Sequence, residues 1–201
     1  MRHTMLAILV VMAVAVGVRA DSHAGVRDAV LFLMENEPGH PRKGDAEFAG
    51  EIADALVVAA AYKNFDVYDL VSCASYESNF LPAVLSLKKK GPAGEEGILQ
   101  CGRDCKKTCP HFMDTVEGQA MCSVRWMDKA RAVCPGSMRE TLTFYASGQV
   151  CDANKYKPDW CRALDDPAEQ ARCIAKERRT LKFRVNRRVR RAERLRNRFG
   201  G

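Results

Sequence analysis

Eight of the nine cysteines in this 201-residue chain fall between Cys101 and Cys173, and that density constrains the fold more than any other feature. Disulfides persist in oxidising compartments and are rare in the cytosol, so the pattern points to an exported, stapled domain. The count is odd, which leaves at least one thiol outside intrachain pairing. Cys73 is the expected one. It stands apart from the rest among Leu70, Val71 and Ala74, where a thiol behaves as a small buried hydrophobe. The other eight, Cys101, Cys105, Cys109, Cys122, Cys134, Cys151, Cys161 and Cys173, have the number to close four bridges. Sequence alone leaves roughly a hundred connectivities open.

The amino terminus agrees with export. Arg2 and His3 precede an apolar run from Met5 to Val18, and Val18-Arg19-Ala20 forms a small-residue cleavage site before Asp21. The run is shorter than the ~20 residues that a membrane span needs. Residues 1–20 therefore read as a signal peptide, 21–173 as one disulfide-stapled domain and 174–201 as a basic tail. The expected location is periplasmic or secreted. Charge divides along the same boundary. The tail holds twelve Lys/Arg and two acids, and subtracting these from 32 and 25 leaves 20 basic against 23 acidic residues before it.

Apolar residues recur at spacings of three and four, the helical period, and no hairpin pattern stands out. The expected class is all-α. Helices are predicted over Val26–Glu35, over an Ala-rich central segment from Glu47 to Tyr62, and from Phe65 to Tyr76. Residues 77–100, with Pro82, Gly91-Pro92 and Gly94, read as a long loop. Val116 to Cys134 is helical again. Ser137-x-x-Glu140 is a capping box that opens a helix stopped by Gly148, and Asp166-Pro167-x-Glu169 opens another. In the tail, Leu181, Val185, Val189, Ala192, Leu195 and Phe199 form one apolar helical face surrounded by arginine. Such a helix can lie on an anionic membrane, dock on acidic wall polymer or pack back on the domain. Nucleic acid, the common partner of arginine-rich segments, does not fit an exported chain.

Three short segments carry the chemistry: Glu77-Ser78-Asn79-Phe80 with Pro82 and Ser86, then Gly97-Ile98-Leu99-Gln100, then Phe144-Tyr145-Ala146-Ser147-Gly148. In this order, over about residues 47–150, they resemble the soluble lytic transglycosylase family, relatives of goose-type lysozyme. That family shows Glu-Ser-x-Phe at a helix end, proline five and serine nine residues after the glutamate, a Gly-Leu-Met-Gln turn and a later Tyr-Asn-x-Gly. Departures are visible. Gly97 lies eleven residues after Ser86, where the family places it about six after; Leu99 replaces methionine, and Ala146 replaces asparagine.

The resemblance implies a lysozyme-like domain with a glycan cleft, cutting the β-1,4 bond between N-acetylmuramic acid and N-acetylglucosamine in peptidoglycan and leaving 1,6-anhydro ends. It implies Glu77 as catalytic acid and then base, with Ser78, Phe80, Ser86, Gly97, Leu99, Gln100 and Tyr145 at the substrate, and no cofactor. A lone glutamate makes chemical sense because a glycosidic oxygen leaves poorly unless it is protonated. Phe80, Ile98, Leu99 and Tyr145 are the expected apolar wall that would keep the carboxyl protonated near neutrality. The rival enzyme is a muramidase in which Glu95 or Glu96 activates water. The rival outside catalysis is a wall-binding module. Cys101, Cys105 and Cys109 at steps of four, near His111, invite a metal reading, but exported cysteines favour bridges and the spacing lacks two separated pairs.

Overall fold

The computed structural model describes residues 23–91, 94–102, 107, 109 and 113–200. The leader assigned to 1–20, together with Cys105 and His111, lies outside the described residues. The all-α expectation holds: among the described residues there is no β-strand, only an isolated antiparallel bridge between Glu96 and Cys101. No helix among them is long and apolar enough to cross a membrane.

Helix α1 (23–36) buries Val26, Ala29, Val30 and Met34, the i, i+3, i+4, i+8 face of its pattern. Asp45 opens α2 (Ala46–Lys63) by accepting a hydrogen bond from the Phe48 amide at 2.9 Å, and Asn64 closes it in the left-handed conformation. α2 buries Ala49, Ile52, Ala53, Ala55, Leu56, Ala59 and Ala60. It is the central helix, and its small residues let α3 (Val67–Ser78) and α5 (Val116–Val133) pack closely against it. The stretch read as a loop contains one short helix, α4 (Pro82–Leu85), with proline in its first turn. α6 (Met138–Ser147) starts at the Ser137 cap and ends at Gly148 with φ 67°.

Two small elements went unanticipated, a single 3₁₀ turn (Ala153–Lys155) and α7 (Asp159–Arg162). Each is too short to show periodicity. The last helix, α8 (Pro167–Phe199), is continuous over 33 residues, about 50 Å of axis, and opens with Asp166 accepting from the Ala168 amide at 2.8 Å.

Of the three destinations open to the tail, its apolar face takes the third. Leu181, Val185, Ala192 and Leu195 are buried, with Val189 and Phe199 against the same core. α8 packs along α3 and α6. Polar contacts fix its register: the Ser72 hydroxyl donates to the Arg188 carbonyl at 2.7 Å, Tyr68 donates to the Phe199 carbonyl at 2.7 Å, and Arg196 Nε reaches Asp66 at 2.8 Å.

The described cysteines divide into three groups. Disulfides join Cys134 to Cys151 and Cys161 to Cys173, tying the end of α5 to the segment after α6 and α7 to the start of α8. Cys73 is a free, buried thiol, as expected. Cys101 is disulfide-bonded, and its Sγ lies 3.7 Å from Cys122 Sγ. Cys122 and Cys109 meet as thiols in a hydrogen bond, so they do not supply one of the four anticipated bridges.

Candidate functional site

Glu77 occupies the last turn of α3 because the chain breaks sharply just after it. Asn79 and Phe80 both adopt positive φ, 50° and 54°, a conformation that costs non-glycine residues about 1–2 kcal/mol each. Three contacts hold this break. The Ser78 hydroxyl donates to the Ala74 carbonyl at 2.8 Å and accepts from the Phe80 amide at 3.2 Å. His40 Nε2 lies 3.0 Å from the Asn79 carbonyl. The Phe80 side chain is buried in the main core. The four residues Glu-Ser-Asn-Phe thus form a mechanical unit, with serine and phenylalanine securing the turn that presents the glutamate.

A cleft of about 830 Å³ opens at Glu77. Leu99, Gln100, Tyr145 and Glu95 line it, as do Tyr76, Trp126, Tyr156 and Trp160. Glu177, Arg184 and Arg188 enter from α8. The side chain of Glu77 is 20% exposed. Burial pushes its carboxyl above the usual range; Arg188 and Arg184 pull it back, and Glu95 adds to the rise. The net direction is upward, as a carboxyl that must hold a proton requires.

The turn Gly97–Gln100 is pinned from behind by a residue outside the motif. Gln119 on α5, 1% exposed, accepts from the Ile98 amide at 3.1 Å and donates to the Leu85 and Met113 carbonyls at 2.8 and 3.1 Å. This explains Gly97. Its φ is 78°, and a Cβ there would lie 2.8 Å from Gln119 Oε1. On the cleft side, the Tyr145 hydroxyl donates to the Leu99 carbonyl at 2.7 Å. Burial raises that phenol well above its usual value, so it remains a donor. The Glu96–Cys101 bridge, with N–H···O distances of 3.0 and 2.7 Å, closes the turn.

The structure therefore brings together Glu77, Leu99, Gln100 and Tyr145 at the cleft, and sets Gly97 just behind it. Ser78 and Phe80 stand one layer back and support the helix break. Ser86 is exposed, with its hydroxyl 3.5 Å from the Ala83 carbonyl, and does not line the cleft. The expected apolar wall is half as drawn: Leu99 and Tyr145 form it, whereas Phe80 and Ile98 are core residues. Of the two candidate second carboxylates, Glu95 lines the cleft. Glu96 is buried beside Lys90 Nζ at 2.6 Å.

Sequence reading missed Arg188 and Gln119. Arg188 had a signal. Leu181, Val185, Arg188, Ala192 and Leu195 are spaced 4, 3, 4 and 3, so a charge sits inside the stripe that faces the core. An arginine in that place calls for a buried anionic partner. Gln119 had none, because a lone glutamine on a helix is ordinarily a solvated residue. No protein-family model, curated protein or solved structure matches the chain.

Proposed function

We propose that this protein is a peptidoglycan lytic transglycosylase, exported to work on cell-wall glycan. The observation that carries the reading is Glu77 itself: a carboxyl at a helix end, largely withdrawn from water, with its ordinary acidity suppressed, opening on a cleft of about 830 Å³. The aromatic lining supports a saccharide occupant. Trp126 and Trp160 offer flat apolar faces with polar edges, which suit the C–H faces and hydroxyl rims of sugar rings. Trp160 is 59% exposed, as a residue waiting for a ligand can be.

In the proposed reaction Glu77 gives its proton to the bridging oxygen as the bond from that oxygen to the muramic C1 breaks. The departing N-acetylglucosamine leaves as a neutral alcohol. Glu77, now a carboxylate, takes the proton from the muramic C6 hydroxyl as that oxygen bonds to C1. One proton is lent and one recovered, no water is consumed, and the tethered hydroxyl needs no second carboxylate because its effective concentration is already high. A second reading, hydrolysis, is favoured by one observation, the presence of Glu95 in the same cleft. Glu95 would activate water and give a reducing end.

The outward face of α8 adds a proposed anchoring surface. Arg179, Arg190 and Arg194 are exposed on this face with Phe183, 63% exposed, among them. This face suits an anionic membrane or acidic wall polymer.

Digestion of purified sacculi by the wild-type protein and by Glu77→Gln, followed by mass analysis of the sugar ends, tests the enzyme reading. Anhydro ends from the wild type and a loss of about 10²–10⁴-fold in the variant are expected. Reducing ends would select hydrolysis. Undiminished cleavage by Glu77→Gln, or none by the wild type, rejects the assignment.

A further inference from the structure

Arg188 reaches Glu77 from 111 residues away in sequence, on a helix that the motif resemblance does not include. Its side chain is only 4% exposed. Nη2 donates to Glu77 Oε1, and the guanidinium lies over the Tyr76 ring with Cζ 4.5 Å from the ring centre. The Ser72 hydroxyl holds the Arg188 backbone carbonyl at 2.7 Å, which fixes the residue along the α3–α8 contact. Its other two nitrogens, Nε and Nη1, are buried with no hydrogen-bond partner among the described residues.

As a stabilising device this arrangement is poor. Burying a guanidinium costs several kcal/mol after relaxation, and the return depends on satisfying its donors. Here one of three nitrogens is satisfied. A well-packed apolar side chain in the same stripe as Leu181, Val185, Ala192 and Leu195 would serve the fold at least as well. The feature that an apolar residue would not reproduce is the grip on one oxygen of Glu77. Oε1 is engaged, whereas Oε2 has no hydrogen-bond partner among the described residues.

We propose that Arg188 is the positioning residue of Glu77: it holds the carboxyl by Oε1 so that Oε2 is the atom that delivers and recovers the proton. The C-terminal helix is then a component of the active site, and the enzyme is incomplete without it. The inference rests on the transglycosylase reading. It assigns the two proton transfers to a single oxygen, with Oε1 taking up the negative charge against the guanidinium when Oε2 has lost its proton. The cation and the apolar enclosure act in opposition, so the carboxyl can release a proton and take one back within the same cycle.

Glu77 faces several other charged or titratable groups. Arg184 and Glu177 come from the same helix α8, Glu95 from the loop before Gly97, Tyr145 from α6, and Cys73 from its own helix α3. Arg188 opposes the effect of burial more than any other group and donates the carboxyl's only side-chain hydrogen bond among the described residues, so its removal has a signed consequence. Without the cation Glu77 retains its proton to higher pH. Activity that needs protonated Glu77 is lost as pH rises, so this alkaline limb moves upward.

The test is the pH profile of anhydro-end release by the full chain carrying Arg188→Met or Arg188→Lys, with Glu77→Gln alongside. Arg188→Met is expected to lower kcat at least tenfold and to move the alkaline limb up by about one pH unit. Arg188→Lys keeps the charge and loses the planar guanidinium that lies over Tyr76; it should hold the limb near its wild-type position while kcat stays several-fold low. A limb that does not move in folded Arg188→Met reduces Arg188 to a structural residue and overturns the proposal. If Arg188→Met fails to fold, Arg188→Lys decides alone, and wild-type kcat in that variant overturns it. Full activity in Glu77→Gln would instead reject the underlying reading of the site, so the two failures are distinguishable.

Discussion

Replacing Gln119 by leucine isolates the device that holds the Gly97–Gln100 turn against the body of the protein. The two side chains are close in volume, so the cavity contribution is small and the effect is one of hydrogen bonding. Three backbone groups lose their partner: the Ile98 amide at 3.1 Å, the Leu85 carbonyl at 2.8 Å and the Met113 carbonyl at 3.1 Å. A buried group left unsatisfied costs about 1–3 kcal/mol, with carbonyls toward the lower end. The three together come to about 3–6 kcal/mol, and the more apolar leucine returns about 1 kcal/mol of this. A net loss of about 2–5 kcal/mol corresponds, for a domain of this size, to a fall in Tm of about 5–20 °C. Thermal and urea unfolding of the disulfide-intact chain, followed by circular dichroism, measures it. Loss of sugar-end release should accompany the change, since Leu99 and Gln100 ride on the same turn. A fall in Tm below about 2 °C would show that the turn is held by other contacts and would refute the argument.

Further outcomes follow from neighbouring contacts. Tyr145→Phe keeps the ring and removes the 2.7 Å hydrogen bond to Leu99, so a loss of about 1 kcal/mol is expected by urea unfolding; above 3 kcal/mol the ring packing must also have moved. Burial raises the Asp69 carboxyl to about 6 against Arg196, 3.6 Å away, so in the folded protein it binds its proton more tightly than in the unfolded chain. Its contribution to stability is therefore present below about pH 4 and lost as pH rises through about 6, a swing of about 3 kcal/mol. Asp69→Asn should flatten that part of the stability–pH curve, and an unchanged slope would rule the group out. The Cys73 thiol, pushed up to about 12 by burial, should resist iodoacetamide at pH 8 in the native protein and react once unfolded, as peptide mass analysis would show. Replacing both Cys161 and Cys173 by serine opens a 12-residue link between α7 and α8 and should cost about 2–4 kcal/mol in thermal unfolding.

Much of this architecture is local physics and is legible along the chain. Caps at Asp45, Asp66, Thr115, Ser137 and Asp166 satisfy orphan amides within three residues of themselves, and Gly148 ends α6 where a positive φ is needed. The placement of Glu77 at a helix end is largely of the same kind, because the hydrogen bonds that shape the break after it join residues 74–81, with His40 adding one contact from outside. Elements of three or four residues, such as α7, lie below the length at which a periodic pattern can declare itself.

What the sequence by itself determined is the set of long helices, the stapled carboxyl-terminal half and the segment that presents a glutamate. Those follow from spacing and capping, which act over a few residues. Tertiary structure alone decided which cation meets that glutamate and which side chain braces the turn beside it. Only when α8 folds along α3 does a guanidinium from position 188 meet position 77, and only when α5 packs behind the loop does Gln119 hold the turn. The physical reason is that a polar side chain carries no mark of its partner. Its energy depends on how much water is removed and which charge replaces it, and both are properties of the assembled fold.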